Sequence, residues 1–172
     1  MIAGVDNNSI VYLNGEYLRL ADAKVSVLDR GFVFGDGIYE VVPIYNGKPF
    51  RMHQHIARLQ RSLQSVRIDI EYTEAQWMAL VEGVLARAEQ PQANLMVYLQ
   101  VTRGVAKRDH AFPAGIEPTV FCMASPFARP GTAQRERGLS AISVPDTRWL
   151  LCHIKSVSLL GNVLAKQAAI DA

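Results

Sequence analysis

The stretch GIYEVVPIYNGKPF, residues 37–50, decides how the chain is to be read: β-prone residues, then Asn46-Gly47, then a short return. Asn-Gly is the favoured pair for a two-residue type I′ turn, because both central residues take positive φ there. A β-hairpin is therefore expected. Upstream, SIVYLNGEYLRL (residues 9–20) repeats the device around Asn14-Gly15. Between the hairpins lies DRGFVFGDG (residues 29–37), whose Gly31, Gly35 and Gly37 admit backbone conformations or close approaches that a side chain would block. It reads as a loop, either the edge of a site or a tight connection.

Downstream the period changes. HQHIARLQRSLQSV (residues 53–66) places Ile56, Leu59, Leu63 and Val66 at helical spacing, and TEAQWMALVEGVLARAEQ (residues 73–90) does so from Trp77 to Ala88. The second helix opens with Thr73-Glu74-Ala75-Gln76, a capping box, and Pro91 follows its end. NLMVYLQVT (residues 94–102), TVFCMAS (residues 119–125) and GLSAISV (residues 138–144) read as strands, separated by loops 103–118 and 126–137. SVSLLGNVLAKQAAIDA (residues 156–172) reads as a final helix beginning near Ser158. Hairpins, then helices, then further strands define an α+β chain with a largely antiparallel sheet.

Composition narrows the function classes. The 172 residues are 49% hydrophobic and 20% charged, enough for one sizeable core, and the net charge of +2 is spread over interspersed signs. No basic stripe marks a nucleic-acid partner, and no apolar run reaches the length of a membrane span or a signal peptide. A small-molecule or protein partner and a cytoplasmic location are expected. Cys122 and Cys152 lack a C-x-x-C spacing and read as two thiols in a reducing compartment. His53 and His55 stand two apart on a helix, where they do not face each other, so no metal site is expected there.

The segment CHIKSVSLLGN (residues 152–162) sets Lys155 among Ile154, Val157, Leu159 and Leu160. By itself this is a lysine at a helix boundary. Packing changes its chemistry, because desolvation disfavours the charged form of an amine, and the neutral amine is the nucleophile that attacks a carbonyl. Arg58, between Ile56 and Leu59, reads equally as a surface arginine on an amphipathic helix. Arg108 and His110 stand two apart in the loop after residue 102, so in extended backbone both point to one side.

The segment RWLLCHIKSVSLLGNVLAKQAA (residues 148–169), with residues 29–59 and VYLQVTRGVAKRDHAFP (residues 97–113), resembles the fold-type IV pyridoxal-phosphate aminotransferases, most closely their D-amino-acid branch. The resemblance extends over nearly the whole chain. It implies an N-terminal two-layer α+β domain over residues 1–144, an interdomain connection over residues 145–157, and the first helix of a truncated second domain over residues 158–172. It also implies transamination between a D-amino acid of D-alanine type and a 2-oxo acid, by a ping-pong route with pyridoxal 5′-phosphate. Lys155 would form the Schiff base and move the Cα proton, Arg58 would grip the cofactor phosphate, and Tyr39, Arg108 and His110 would trap the substrate α-carboxylate. In the family the loop with Arg108 and His110 comes from the partner subunit, which implies a homodimer.

Two departures accompany the resemblance. Position 153, often aspartate in the best-matching members, is His153, whose imidazole would alter the pH behaviour of the Schiff base. The carboxylate that binds the pyridine nitrogen, and the remaining phosphate ligands, correspond to positions past Ala172. The 172 residues alone are therefore expected to bind the cofactor weakly and transaminate little, unless a separate C-terminal polypeptide completes them. Branched-chain aminotransferase, aminodeoxychorismate lyase and R-selective amine transaminase are alternatives of the same fold, and a catalytically silent dimerisation module is one of another class. Arg108 with His110 favours the D-amino-acid branch, since an amine transaminase has no α-carboxylate to hold.

Overall fold

A computed structural model describes residues 6–172, so the first five residues of the expected N-terminal domain lie outside the described residues. Strands β1 (Ile10–Leu13) and β2 (Glu16–Arg19) form the first hairpin, with φ of 48° at Asn14 and 100° at Gly15. Strands β3 (Gly37–Tyr45) and β4 (Lys48–Pro49) form the second, with φ of 51° at Asn46 and 74° at Gly47. Both central residues of each turn are left-handed, as a type I′ turn requires. Strands β5 (Leu95–Thr102) and β6 (Thr119–Pro126) complete one sheet of order β2-β1-β6-β5-β3-β4, every pair antiparallel.

Along β3 the burial alternates with period two. Ile38, Glu40, Val42 and Ile44 are buried, while Tyr39, Val41, Pro43 and Tyr45 on the opposite face are half-buried. Helices α2 (Met52–Ser65) and α3 (Glu74–Leu85) cover the buried face, bringing Ile56, Leu59, Leu63, Trp77, Leu80 and Val81 onto Ile38, Val42, Val97 and Leu99. The α3 capping box is formed: Gln76 N donates to Thr73 Oγ1 (3.2 Å) and Thr73 N donates to Gln76 Oε1 (2.8 Å). That helix stops at Leu85 rather than running to Gln90. The bonds from Arg87 N to Val84 O and from Ala88 N to Leu85 O span three residues and tighten its last turn.

Three expectations are corrected. Residues 138–144 form no strand; they are exposed and pair with neither sheet edge, and β propensity without a ladder partner does not make a strand. The loops at 29–37 and 126–137 contain short helices, α1 (Arg30–Phe34) and α4 (Thr132–Arg137). Asp29 caps α1 by accepting from Gly31 N at 2.8 Å, and Gly35 ends it at φ 66°. Gly37 is required for a different reason, since a Cβ there would come within 2.7 Å of Val101 O. The final helix α5 (Leu160–Asp171) forms as expected, with Leu160, Val163, Leu164 and Ile170 exposed. No helix of the described residues is long and apolar enough to cross a membrane.

Candidate active site

Because β4 pairs only with Ile44 and Tyr45, the other end of β3 is left with a free edge. The lysine segment takes it. Ser156 bridges Ile38 in antiparallel register, Tyr39 N donates to Lys155 O (2.9 Å), and Val157 N donates to Gly37 O (3.0 Å). Alternation along this added strand buries Ile154 and Ser156 and turns Lys155 toward the face that carries Tyr39. Lys155 Nζ lies 3.9 Å from the Tyr39 ring centroid, within cation–π range. Tyr39 in turn stacks on Tyr98 (5.6 Å between centroids), whose hydroxyl donates to Gln100 Oε1 at 2.5 Å.

Lys155, Tyr39, Phe34, His153 and Arg58 line one open cleft of about 810 Å³. Arg58 enters from α2 and is fixed by a buried carboxylate: its Nε and Nη2 donate to Glu40 Oε1 (2.5 Å) and Oε2 (2.7 Å). His55 Nδ1 shares Oε2 at 2.8 Å. The hydrogen bond to Glu40 raises the Arg58 pKa above the ordinary arginine value, outweighing partial burial, so the guanidinium stays charged. Glu40 and His55 did not emerge as site residues from the sequence, although the signal was present. A glutamate at a core-facing position of the Ile38-Val42-Ile44 alternation has to be paired, since an unpaired buried carboxylate is prohibitively costly.

The structure thus brings Lys155, Arg58 and Tyr39 together and leaves Arg108 and His110 apart from them. Both stand at the rim on Phe34, with the Arg108 guanidinium carbon 5.3 Å and the His110 ring 5.4 Å from the Phe34 centroid, and neither lines the cleft. The carboxylates of the glycine-rich segment are engaged elsewhere. Asp29, 1% exposed, accepts from Thr102 Oγ1 (3.0 Å) and Thr119 Oγ1 (2.6 Å), and Asp36 pairs with Arg30 and Arg103. His53 pairs with Glu74 at 2.6 Å on the surface, and among the described residues no three His, Cys, Asp or Glu side chains gather around a metal position.

The strand added to the antiparallel sheet thus presents a lysine amine to a cleft shared with an arginine. Residues 37–172 match the family described as amino-transferase class IV, and the chain belongs to that family. It is 44% identical over 161 residues to the D-alanine aminotransferase of Staphylococcus epidermidis, spanning 93% of this chain and 56% of the relative. It is 41% identical over 162 residues to the D-alanine aminotransferase of Bacillus licheniformis, again spanning 56% of the relative. The chain therefore covers little more than half the length of these curated relatives. Among solved structures it resembles a branched-chain aminotransferase of Thermoproteus uzoniensis (TM-score 0.78, 23% identity, 94% of this chain and 56% of that one). It also resembles the 4-amino-4-deoxychorismate lyase of Pseudomonas aeruginosa (TM-score 0.73, 25% identity, 91% and 56%).

Proposed function

We propose that this chain carries the lysine, the phosphate-side arginine and the carboxylate trap of a pyridoxal-phosphate-dependent aminotransferase acting on D-amino acids of D-alanine type and 2-oxo acids. The observation that carries the reading is Lys155 Nζ, held over Tyr39 by strand addition, in one cleft with Arg58. The relatives' names supply the substrate class.

The residues present fit the cofactor. A phosphorylated aromatic aldehyde needs an amine for its carbonyl, a cation for its phosphate and an aromatic wall for its ring, and the cleft offers Lys155, Arg58 and Tyr39. When bound, pyridoxal phosphate supplies the electron sink that loss of the Cα proton requires. Lys155 Nζ anchors the cofactor and, once released, takes and returns that proton, serving as nucleophile and base in turn. Arg58 commits Nε and Nη2 to Glu40, which leaves Nη1 for the phosphate and keeps the guanidinium plane fixed. Tyr39, Arg108 and His110 hold the substrate α-carboxylate. Arg108 and His110 reach it from a second copy across a homodimer interface, a reading supported by their place outside their own chain's cleft. Residues 1–144 then act as the N-terminal domain, 145–157 as the connection bearing Lys155, and 158–172 as a helix of the second domain, whose apolar residues are the exposed ones on α5. The free thiols Cys122 and Cys152 support a reducing, cytoplasmic setting.

Borohydride reduction of the protein loaded with pyridoxal phosphate, followed by peptide mapping, tests the reading. The pyridoxyl group is expected on Lys155. Its appearance instead on Lys24, Lys48, Lys107 or Lys166 overturns the assignment.

A further inference from the structure

The loop after β5 is long, polar and exposed at Arg108 and His110, yet its backbone is gripped from below by a buried side chain. Arg30, 4% exposed, donates from Nη1 to Asp109 O (2.5 Å) and Ala111 O (3.4 Å) and from Nη2 to His110 O (3.5 Å). Its Nε donates to Asp36 Oδ2 (2.8 Å), and the same carboxylate takes Nε (2.8 Å) and Nη2 (3.0 Å) of buried Arg103. Arg103 also donates to Val66 O (2.8 Å) and Arg67 O (2.7 Å), tying the network to the end of α2, and stacks on Phe112 of the loop at 3.8 Å. The Arg30 guanidinium carbon lies 4.8 Å from the Phe34 ring, the ring that also receives Arg108 and His110. Three consecutive carbonyls are therefore read by one planar fork, and only a fixed loop conformation presents all three to it.

We infer that Arg30 is a positioning residue for substrate binding: it fixes the backbone at residues 109–111 and so sets how Arg108 and His110 are presented to an α-carboxylate. The inference rests on the carboxylate-trap role given to those two residues above. Arg30 touches neither cleft nor substrate and acts through the loop alone. Arg30→Lys keeps a cation opposite Asp36 but cannot span three carbonyls. Arg30→Gln removes the fork while leaving Asp36 paired with Arg103.

Two measurements on cofactor-loaded protein test this. Trypsin cleavage after Lys107 and Arg108 should accelerate roughly tenfold in Arg30→Lys, the loss of charge-assisted hydrogen bonds, while cleavage after Arg61 and Arg87 stays at the parent rate. KM for D-alanine should rise roughly tenfold with kcat little changed, because a misplaced trap weakens binding without touching the proton transfer at Lys155. Should Arg30→Lys fail to fold by circular dichroism, Arg30→Gln carries the same two expectations, since Asp36 keeps its pair with Arg103. Unchanged cleavage at residues 107 and 108, or a fall in kcat with KM unchanged, overturns the positioning role. The KM measurement is made on a full-length enzyme that contains these residues; if that enzyme turns over no D-alanine, the transamination reading fails by itself, and the trypsin comparison still decides whether Arg30 clamps the loop.

Discussion

Residues 29–37 and residues 138–172 face opposite situations. In the first, two charged side chains are buried and a third half-buried, and each is matched: Asp29 by two threonine hydroxyls and a backbone N–H, Arg30 by Asp36 and loop carbonyls, and Asp36 by Arg30 and Arg103. In the second, large apolar side chains stand in water, with Leu150 98% and Leu139 79% exposed. Polarity therefore does not decide which residues are inside. A charge goes inside when all its bonds are made, and an apolar residue stays outside when no surface meets it. The two regions touch where the lysine strand joins β3 and Ser158 Oγ donates to Gly35 O (3.1 Å), so the matched region holds the strand that carries Lys155.

Breaking the matched region should have the largest effect. Asp29→Ala leaves the Thr102 and Thr119 hydroxyl protons without their acceptor in the core and should lower unfolding free energy by about 3 kcal/mol, read from urea midpoints at constant slope. Arg108→Ala should spare the fold and instead weaken D-amino-acid use by about 2 kcal/mol, the loss of a charge-assisted hydrogen bond, checked as kcat/KM for D-alanine in a full-length enzyme that carries the change. Retained kcat/KM contradicts the trap.

Acid gives a smaller and graded effect. Burial alone would raise the Asp36 pKa, but hydrogen bonds and charge from Arg103 and Arg30 outweigh it and hold the carboxyl below its ordinary 3.8. A depressed folded-state value stabilises fully above the unfolded value and is lost as pH falls through the folded one. Unfolding midpoints should therefore decline below pH 4, and Asp36→Asn should flatten that part of the profile. The exposed region should respond least. Leu150→Ser and Leu164→Ser should each shift stability by no more than about 0.5 kcal/mol, and a larger loss in a urea titration would mean that this region is covered after all.

Most of the fold was legible because its signals are local. Asn14-Gly15, Asn46-Gly47 and the Thr73–Gln76 box each act within four residues and formed as read. Residues 138–144 misled because strand propensity is realised only against a neighbour, and pairing is a long-range property that no seven-residue window contains. The cleft was partly legible: Lys155, Arg58 and Tyr39 converge, but through a strand addition joining positions more than a hundred residues apart, which periodicity does not reveal. Glu40 showed a usable trace as a charge in an apolar alternation. The Arg30 clamp showed none, since its acceptors are backbone carbonyls common to every residue.

On the proposed function, one cleft holds an amine and a phosphate-binding guanidinium for the same small molecule. Comparing the binding of pyridoxal phosphate with that of pyridoxal, by absorbance titration of the parent protein, Arg58→Ala and Lys155→Ala, tests it most directly. The parent should prefer the phosphorylated form, Arg58→Ala should lose the preference while keeping the imine absorbance band, and Lys155→Ala should keep the preference while losing the band. A preference for the phosphate that survives in Arg58→Ala, or a band that survives in Lys155→Ala, would contradict the account.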